Sequence, residues 1–104
     1  MENLFHTIPA DLPTELFDTL LENGSVRIER IVSRGHATPA GQWYDQDRHE
    51  WVLLLQGAAR PALPDGRELE LAPGAWPEIP ARRRHRAAWT DPAQDTVWLA
   101  VHYA

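Results

Sequence analysis

The chain contains no cysteine. That excludes disulfide staples, thiolate metal sites and thiol nucleophiles, and it fits a reducing compartment. No apolar stretch reaches membrane-spanning length, and Met1 to His6 lack a basic region followed by an apolar run. The expectation is a cytoplasmic protein with no membrane partner. Positive charge is in deficit: ten basic residues stand against fifteen acidic ones, for a net charge of −5 with histidine neutral. Such a balance does not seek a polyanion, so nucleic acid is not an expected partner. No internal repeat or low-complexity segment occurs, which argues against a solenoid or a duplicated unit. The nucleophile elbow, the phosphate-binding glycine loop and the zinc-protease helix are all missing, and those enzyme classes are disfavoured.

What is present is an ordinary globular composition. The 104 residues are 43% hydrophobic and 24% charged, enough for one modest core and one domain overall. From Leu12 to Glu22 the pattern predicts a short helix. Leu16, Phe17, Leu20 and Leu21 share a face, Asp11 caps, Pro13 suits the first turn, and Asn23 with Gly24 stops it. This N-terminal segment, residues 1–25, precedes a strand-rich region, residues 26–104. There the apolar clusters are short, rich in Val, Ile, Trp and Leu, and punctuated by Gly and Pro. They predict strands at 26–33, 42–44, 50–56, 58–63, 68–71, 76–79, 85–90 and 96–103. Pro64, Asp65 and Gly66 supply hairpin chemistry, and Pro73 with Gly74 marks the next reversal. Short strands at this spacing favour a sandwich or barrel. The run from Trp51 to Leu55 is apolar at both parities and needs cover on both faces. The N-terminal helix or a second subunit must supply the outer cover, and a homodimer is expected.

Two motifs separated by that hairpin make the chain resemble the cupin superfamily. The first cupin motif places two histidines ahead of a glutamate and closes on a glycine. Glu50 and Gly57 stand at that separation, while the histidine positions fall on Tyr44 and Gln46. In the second motif Gly74, Pro80 and His85 occupy their usual places. Arg82 stands where a glycine is usual, and Trp89 where an asparagine is usual. The resemblance covers most of the stretch from Tyr44 to Trp89. It implies an all-β fold, a single antiparallel β-barrel of jelly-roll type with a pocket at one mouth. Fold alone does not assign a reaction.

Strand alternation identifies the side chains that converge on such a pocket. Glu50 shares a parity with Val52 and Leu54, and His85 with Ala87 and Trp89; His102 shares one with Trp98 and Ala100. Glu50 and His85 are therefore the catalytic candidates, and Tyr44, Gln46, Trp89 and His102 the candidate ligand contacts. Gln46, Glu50 and His85 also form a candidate donor set for one divalent ion, with Zn, Fe, Mn and Ni left open. Glutamine is a weaker donor than histidine, and Tyr44 ligates strongly only after losing a proton, so affinity falls below that of a three-histidine site. The metal-free alternative is a buried hydrogen-bonded pair of Glu50 and His85. His49 has the opposite parity and belongs to the surface or an interface unless a bulge turns it inward. His6 and His36 are expected to be exposed. Arg82, Arg83, Arg84 and Arg86 form a local basic cluster, suited to a phosphate or carboxylate or simply to solvation.

Two functional classes follow. One is a metal-dependent cupin enzyme acting on a small organic substrate, with dioxygenase, isomerase, lyase and hydrolase chemistry unresolved. The other is a metal-free binding or sensing domain in which Glu50 and His85 donate and accept hydrogen bonds. A third reading gives that pair metal-free acid–base chemistry, which needs pKa values moved toward neutrality.

Overall fold

Alternation along the strand His49–Gln56 sets the architecture. In the computed structural model, which describes residues 1–104, Glu50, Val52 and Leu54 are buried, and Trp51, Leu53 and Leu55 lie half-buried on the opposite face. Seven strands follow in chain order: β1 Leu16–Asn23, β2 Val26–Ser33, β3 His49–Gln56, β4 Ala59–Ala62, β5 Glu78–Ile79, β6 Arg86–Thr90 and β7 Thr96–Tyr103. Five form an antiparallel sheet in the order β1-β2-β7-β3-β5, and β4 pairs with β6 in a second, two-stranded sheet. Isolated bridges from Ala59 to Leu71, Ala62 to Glu68 and Tyr44 to His85 extend the smaller layer. The two antiparallel layers are the arrangement of a jelly roll, although their hydrogen bonds do not form one continuous closed ring. Val52, Leu54, Ala59, Leu71, Trp98 and Ala100 form the core between the layers. Burying a side chain such as Leu54 contributes roughly 1.5–3 kcal/mol.

The N-terminal helix does not form. Leu16 to Asn23 is an eight-residue strand paired with β2 along its length. A β-bulge explains the misreading. The register slips between Thr19 and Leu21, leaving Leu20 as an extra residue. The slip moves Leu21 to the parity opposite Phe17, so a strand acquires apolar spacing that imitates a helix face. Asn23 and Gly24 serve as hairpin chemistry instead of a helix stop, with Gly24 at φ 59° and Asn23 paired directly with Val26.

The segment ahead of β1 is tied down by one buried guanidinium. Arg30 donates to the carbonyls of Leu4 (3.1 Å), His6 (2.6 Å) and Thr7 (3.3 Å), and pairs with Asp18 at 2.5 Å. Gly57, the glycine that closes the first motif, fits where no other residue does. Its φ is 95°, and a Cβ there would lie 2.7 Å from the Thr96 Cα. No helix is long and apolar enough to cross a membrane.

Candidate functional site

Cross-strand pairing assembles the site as a row. Arg27 of β2 pairs with His102 of β7, His102 with Glu50 of β3, and Glu50 with Ile79 of β5. Directly paired residues project to the same face of a sheet. The row therefore points three polar side chains into the space between the layers. The next inward row runs Glu29, Ala100, Val52, and the one after it Ile31, Trp98, Leu54. Polarity falls off from one end of the cavity to the other. The cavity holds about 250 Å³, with Ile31, Val52, Leu71, Pro77, Ile79 and Trp98 among its apolar walls. That is just under the roughly 300 Å³ at which pockets for drug-sized molecules begin, a size suited to a small metabolite.

Glu50 is the centre of the polar end. It is 6% exposed, and its two carboxylate oxygens face two imidazoles: His85 Nε2 lies 3.6 Å from Oε1, and His102 Nε2 lies 3.5 Å from Oε2. His102 makes its short bond elsewhere, 2.7 Å from Nε2 to Glu29 Oε1. A carboxylate can only accept, so His102 Nε2 carries the proton. Arg27 Nη2 adds to Glu29 at 3.8 Å. The result is a run of alternating basic and acidic side chains, Arg27–Glu29–His102–Glu50–His85, across the mouth.

His85 is held by its other nitrogen as well, since Nδ1 donates to the Arg83 carbonyl at 3.1 Å. A neutral ring with Nδ1 protonated would turn a lone pair toward the Glu50 carboxylate. Burial, the largest single influence, pulls the His85 pKa down. The Glu50 carboxylate, the Arg83 carbonyl and the Glu50 charge together outweigh it, and the pKa is raised above the usual 6.5.

The other sequence candidates divide. Tyr44 and Gln46 both line the cavity. Tyr44 pairs its backbone with His85, its N–H reaching the His85 carbonyl at 2.8 Å, and the rings lie 5.5 Å apart. Trp89 does not line the cavity. The β4–β6 pairing passes from Arg60 opposite Trp89 to Pro61 opposite Ala87, which leaves Ala88 as an extra residue. That bulge ends the simple alternation carrying His85 and Ala87 inward, and the Trp89 ring instead lies 4.5 Å beneath the Arg60 guanidinium. The tryptophan in the cavity wall is Trp98. His49 keeps its outward parity, its Nδ1 accepting the Ala81 N–H at 3.0 Å and its ring lying 5.2 Å from Tyr103. His6 is exposed, whereas His36 is half-buried and accepts the Arg34 N–H at 2.9 Å. Arg82 adopts φ 66° where a glycine is usual, so the chain keeps the left-handed turn without the residue that makes it cheap. Arg27 and Glu29 were not legible as site residues. The signal was present, because two charges at alternate positions of a strand share one face.

Gln46, Glu50 and His85, the donor set expected for a divalent ion, all line the cavity. No three histidine, cysteine or acidic side chains come together in a geometry that could hold one. His102 already donates through Nε2, whereas a neutral His85 donating through Nδ1 keeps its Nε2 lone pair toward Glu50. A metal ligand must offer a bare lone pair.

No protein-family model matches the chain, and no curated protein matches it. Solved structures do. A protein from Ralstonia eutropha JMP134, provisionally named a mannose-6-phosphate isomerase, is 44% identical, with a TM-score of 0.94 over 99% of this chain and 96% of that one. An RmlC-like cupin from Desulfovibrio desulfuricans superposes with a TM-score of 0.79 at 14% identity, over 99% of this chain and 94% of that one. A cupin superfamily protein from Desulfitobacterium hafniense DCB-2 gives 0.75 at 20% identity, over 92% and 83%. With two antiparallel layers, the Glu50–Gly57 and Gly74–His85 motifs in place, and a 44% identical relative spanning nearly its whole length, the chain belongs to the cupin superfamily.

Proposed function

We propose that this cupin binds one small organic molecule between its layers without a metal ion, using Glu50 flanked by His85 and His102 as its polar contacts. The observation that carries the reading is the Glu50 carboxylate lying between two imidazoles at 3.5 and 3.6 Å, one of which, His102, already donates its Nε2 proton to Glu29 at 2.7 Å. The apolar far wall, Ile31, Val52 and Trp98, would take the body of the molecule. A cytoplasmic location belongs to the same proposal, supported by the absence of cysteine.

Elemental analysis of untagged protein, with thermal unfolding in chelator and in added Zn, Fe, Mn or Ni, tests this. The expected result is no stoichiometric metal and an unchanged midpoint, since any ion bound only to the folded state raises stability. Stoichiometric metal that both Glu50→Gln and His85→Ala abolish would establish the metal-dependent reading instead.

The raised His85 pKa, 3.6 Å from a carboxylate, favours a second reading in which the pair moves protons on the bound molecule. The Ralstonia relative's name points to an isomerase, and aldose–ketose isomerisation shifts a proton between neighbouring carbons. Incubation with mannose 6-phosphate in chelator, followed by proton NMR, tests it: isomer forming at a rate that Glu50→Gln removes supports it, and no turnover rejects it.

We also propose a homodimer. Leu21, Ile28, Val101 and Trp51 form one outward row across four strands, Trp76 packs on Trp51 at 5.8 Å, and Leu21 and Trp76 are 51% and 58% exposed. Residues 4–7 cover Arg30 farther along the sheet and supply no helix over this row. Sedimentation at micromolar concentration should give a dimer; monomer alone would refute it.

A further inference from the structure

The polar end of the cavity adjoins a second space of about 480 Å³ with no hydrophobic side chain in its lining. Arg27, Gln46 and His102 line both, so the two share a wall. Two guanidinium groups there have a buried N–H with no protein acceptor in reach: Nε of Arg27 and Nη1 of Arg48. Arg27 touches Glu29 only through Nη2, and Arg48 makes no ion pair at all. The acidic lining does not answer them. Asp45 is held by Arg82 at 3.3 Å and Arg84 at 4.0 Å, and Asp47 is exposed at the rim.

An N–H left without an acceptor leaves a guanidinium poorly compensated, and an oxyanion reaching the accessible nitrogens of the same group supplies charge-assisted bonds. Both side chains spring from backbone anchored at the sheet. Arg27 sits within β2, paired with His102, and Arg48 immediately precedes β3. We propose that Arg27 and Arg48 hold the carboxylate or phosphate of a ligand whose apolar body occupies the neighbouring cavity. This rests on the small-ligand reading of that cavity and adds the ligand's class, a small organic oxyanion. The basic cluster at Arg82 to Arg86 is not the seat: Arg82 is spent on Asp45, and Arg86 lies over Trp43 at 5.7 Å.

Titration calorimetry with benzoate, phenyl phosphate and neutral benzamide tests the proposal, alongside NMR of the arginine side chains in inorganic phosphate. At least one charged probe should bind about tenfold more tightly than benzamide, and Arg27→Gln and Arg48→Gln should each remove most of that advantage. Arg67→Gln, which alters an exposed ion pair in the β4 hairpin, should change nothing. A preference for benzoate identifies a carboxylate, and one for phenyl phosphate a phosphate. The unfolding midpoint of the Arg48 variant should match or exceed wild type, a result that a structural role for that guanidinium would not give. Equal affinity for benzamide and the charged probes would overturn the oxyanion site while leaving the small-ligand cavity standing. Phosphate shifts at Arg27 and Arg48 with no binding of any aromatic probe would keep the oxyanion site and reject the cavity reading. No response to any probe would overturn both.

Discussion

Replacing Glu50 by glutamine should destabilise the protein in mild acid and barely affect it in mild base. The side chain keeps its shape and loses its charge between His85 and His102. At 3.6 Å and an effective dielectric of 20, a protonated His85 and Glu50 attract by about 5 kcal/mol. Desolvating two nearly buried groups returns most of that, which leaves a net value of about 1.5–3 kcal/mol, as for other charge-assisted contacts. The pH window follows from His85, whose folded-state pKa lies above its unfolded value of about 6.5. The folded protein binds that proton more tightly, so the stabilisation is complete below pH 6.5 and is lost as pH rises through the folded-state value. Urea unfolding at pH 5.5 should therefore show Glu50→Gln costing about 1.5–3 kcal/mol, and at pH 8.5 less than about 1 kcal/mol. In the variant, burial acts on His85 with only the Arg83 carbonyl opposing it, so its NMR titration should move down. An equal loss at both pH values, or an unmoved His85 titration, would refute the reasoning.

Gly57→Ala should cost roughly 2–5 kcal/mol by chemical denaturation, because a φ of 95° and a Cβ 2.7 Å from the Thr96 Cα penalise it independently. A loss below about 1 kcal/mol would mean the β3–β4 turn can relax. Arg30→Met should cost about 1–3 kcal/mol and speed hydrogen exchange over residues 3–10, since one guanidinium holds the Leu4, His6 and Thr7 carbonyls; unchanged exchange would show another anchor. The double substitution Tyr44→His with Gln46→His adds two imidazoles beside Glu50 and His85. It should bind a stoichiometric divalent ion that raises the unfolding midpoint. No uptake in excess metal would place the obstacle in the His102–Glu29 bond.

The reach of the sequence followed how regular each strand is. Strands β2 and β7 coincide with the alternation in the residues, and β3 starts one residue early, because uninterrupted pairing lets period two show through. Every substantial misreading sits at a bulge or a short bridge. Leu20 makes β1 look helical, and Ala88 ends the alternation that seemed to carry Trp89 inward. The stretch near Tyr44 that reads as a strand contributes only one bridge to His85. A bulge is one residue's departure from alternation, and no residue type in Thr19–Leu20–Leu21 or Ala87–Ala88–Trp89 announces it.

The site was half legible for a related reason. Glu50 and His85 stood out because motif spacing named them, and parity alone placed His102 beside them. Arg27 and Glu29 were hidden by β2, which carries charge on both faces: Arg27 and Glu29 point into the cavity, while Arg30 points to the N-terminal segment. Only the pairing of Arg27 with His102 decides which face is inward. That register also bears on the chemistry. With Tyr44 and Gln46 in place of two imidazoles, the proposed metal-free site sets a proton on His85 against the Glu50 charge. A site built on that proton would respond to pH as His85 titrates, above the ordinary imidazole value.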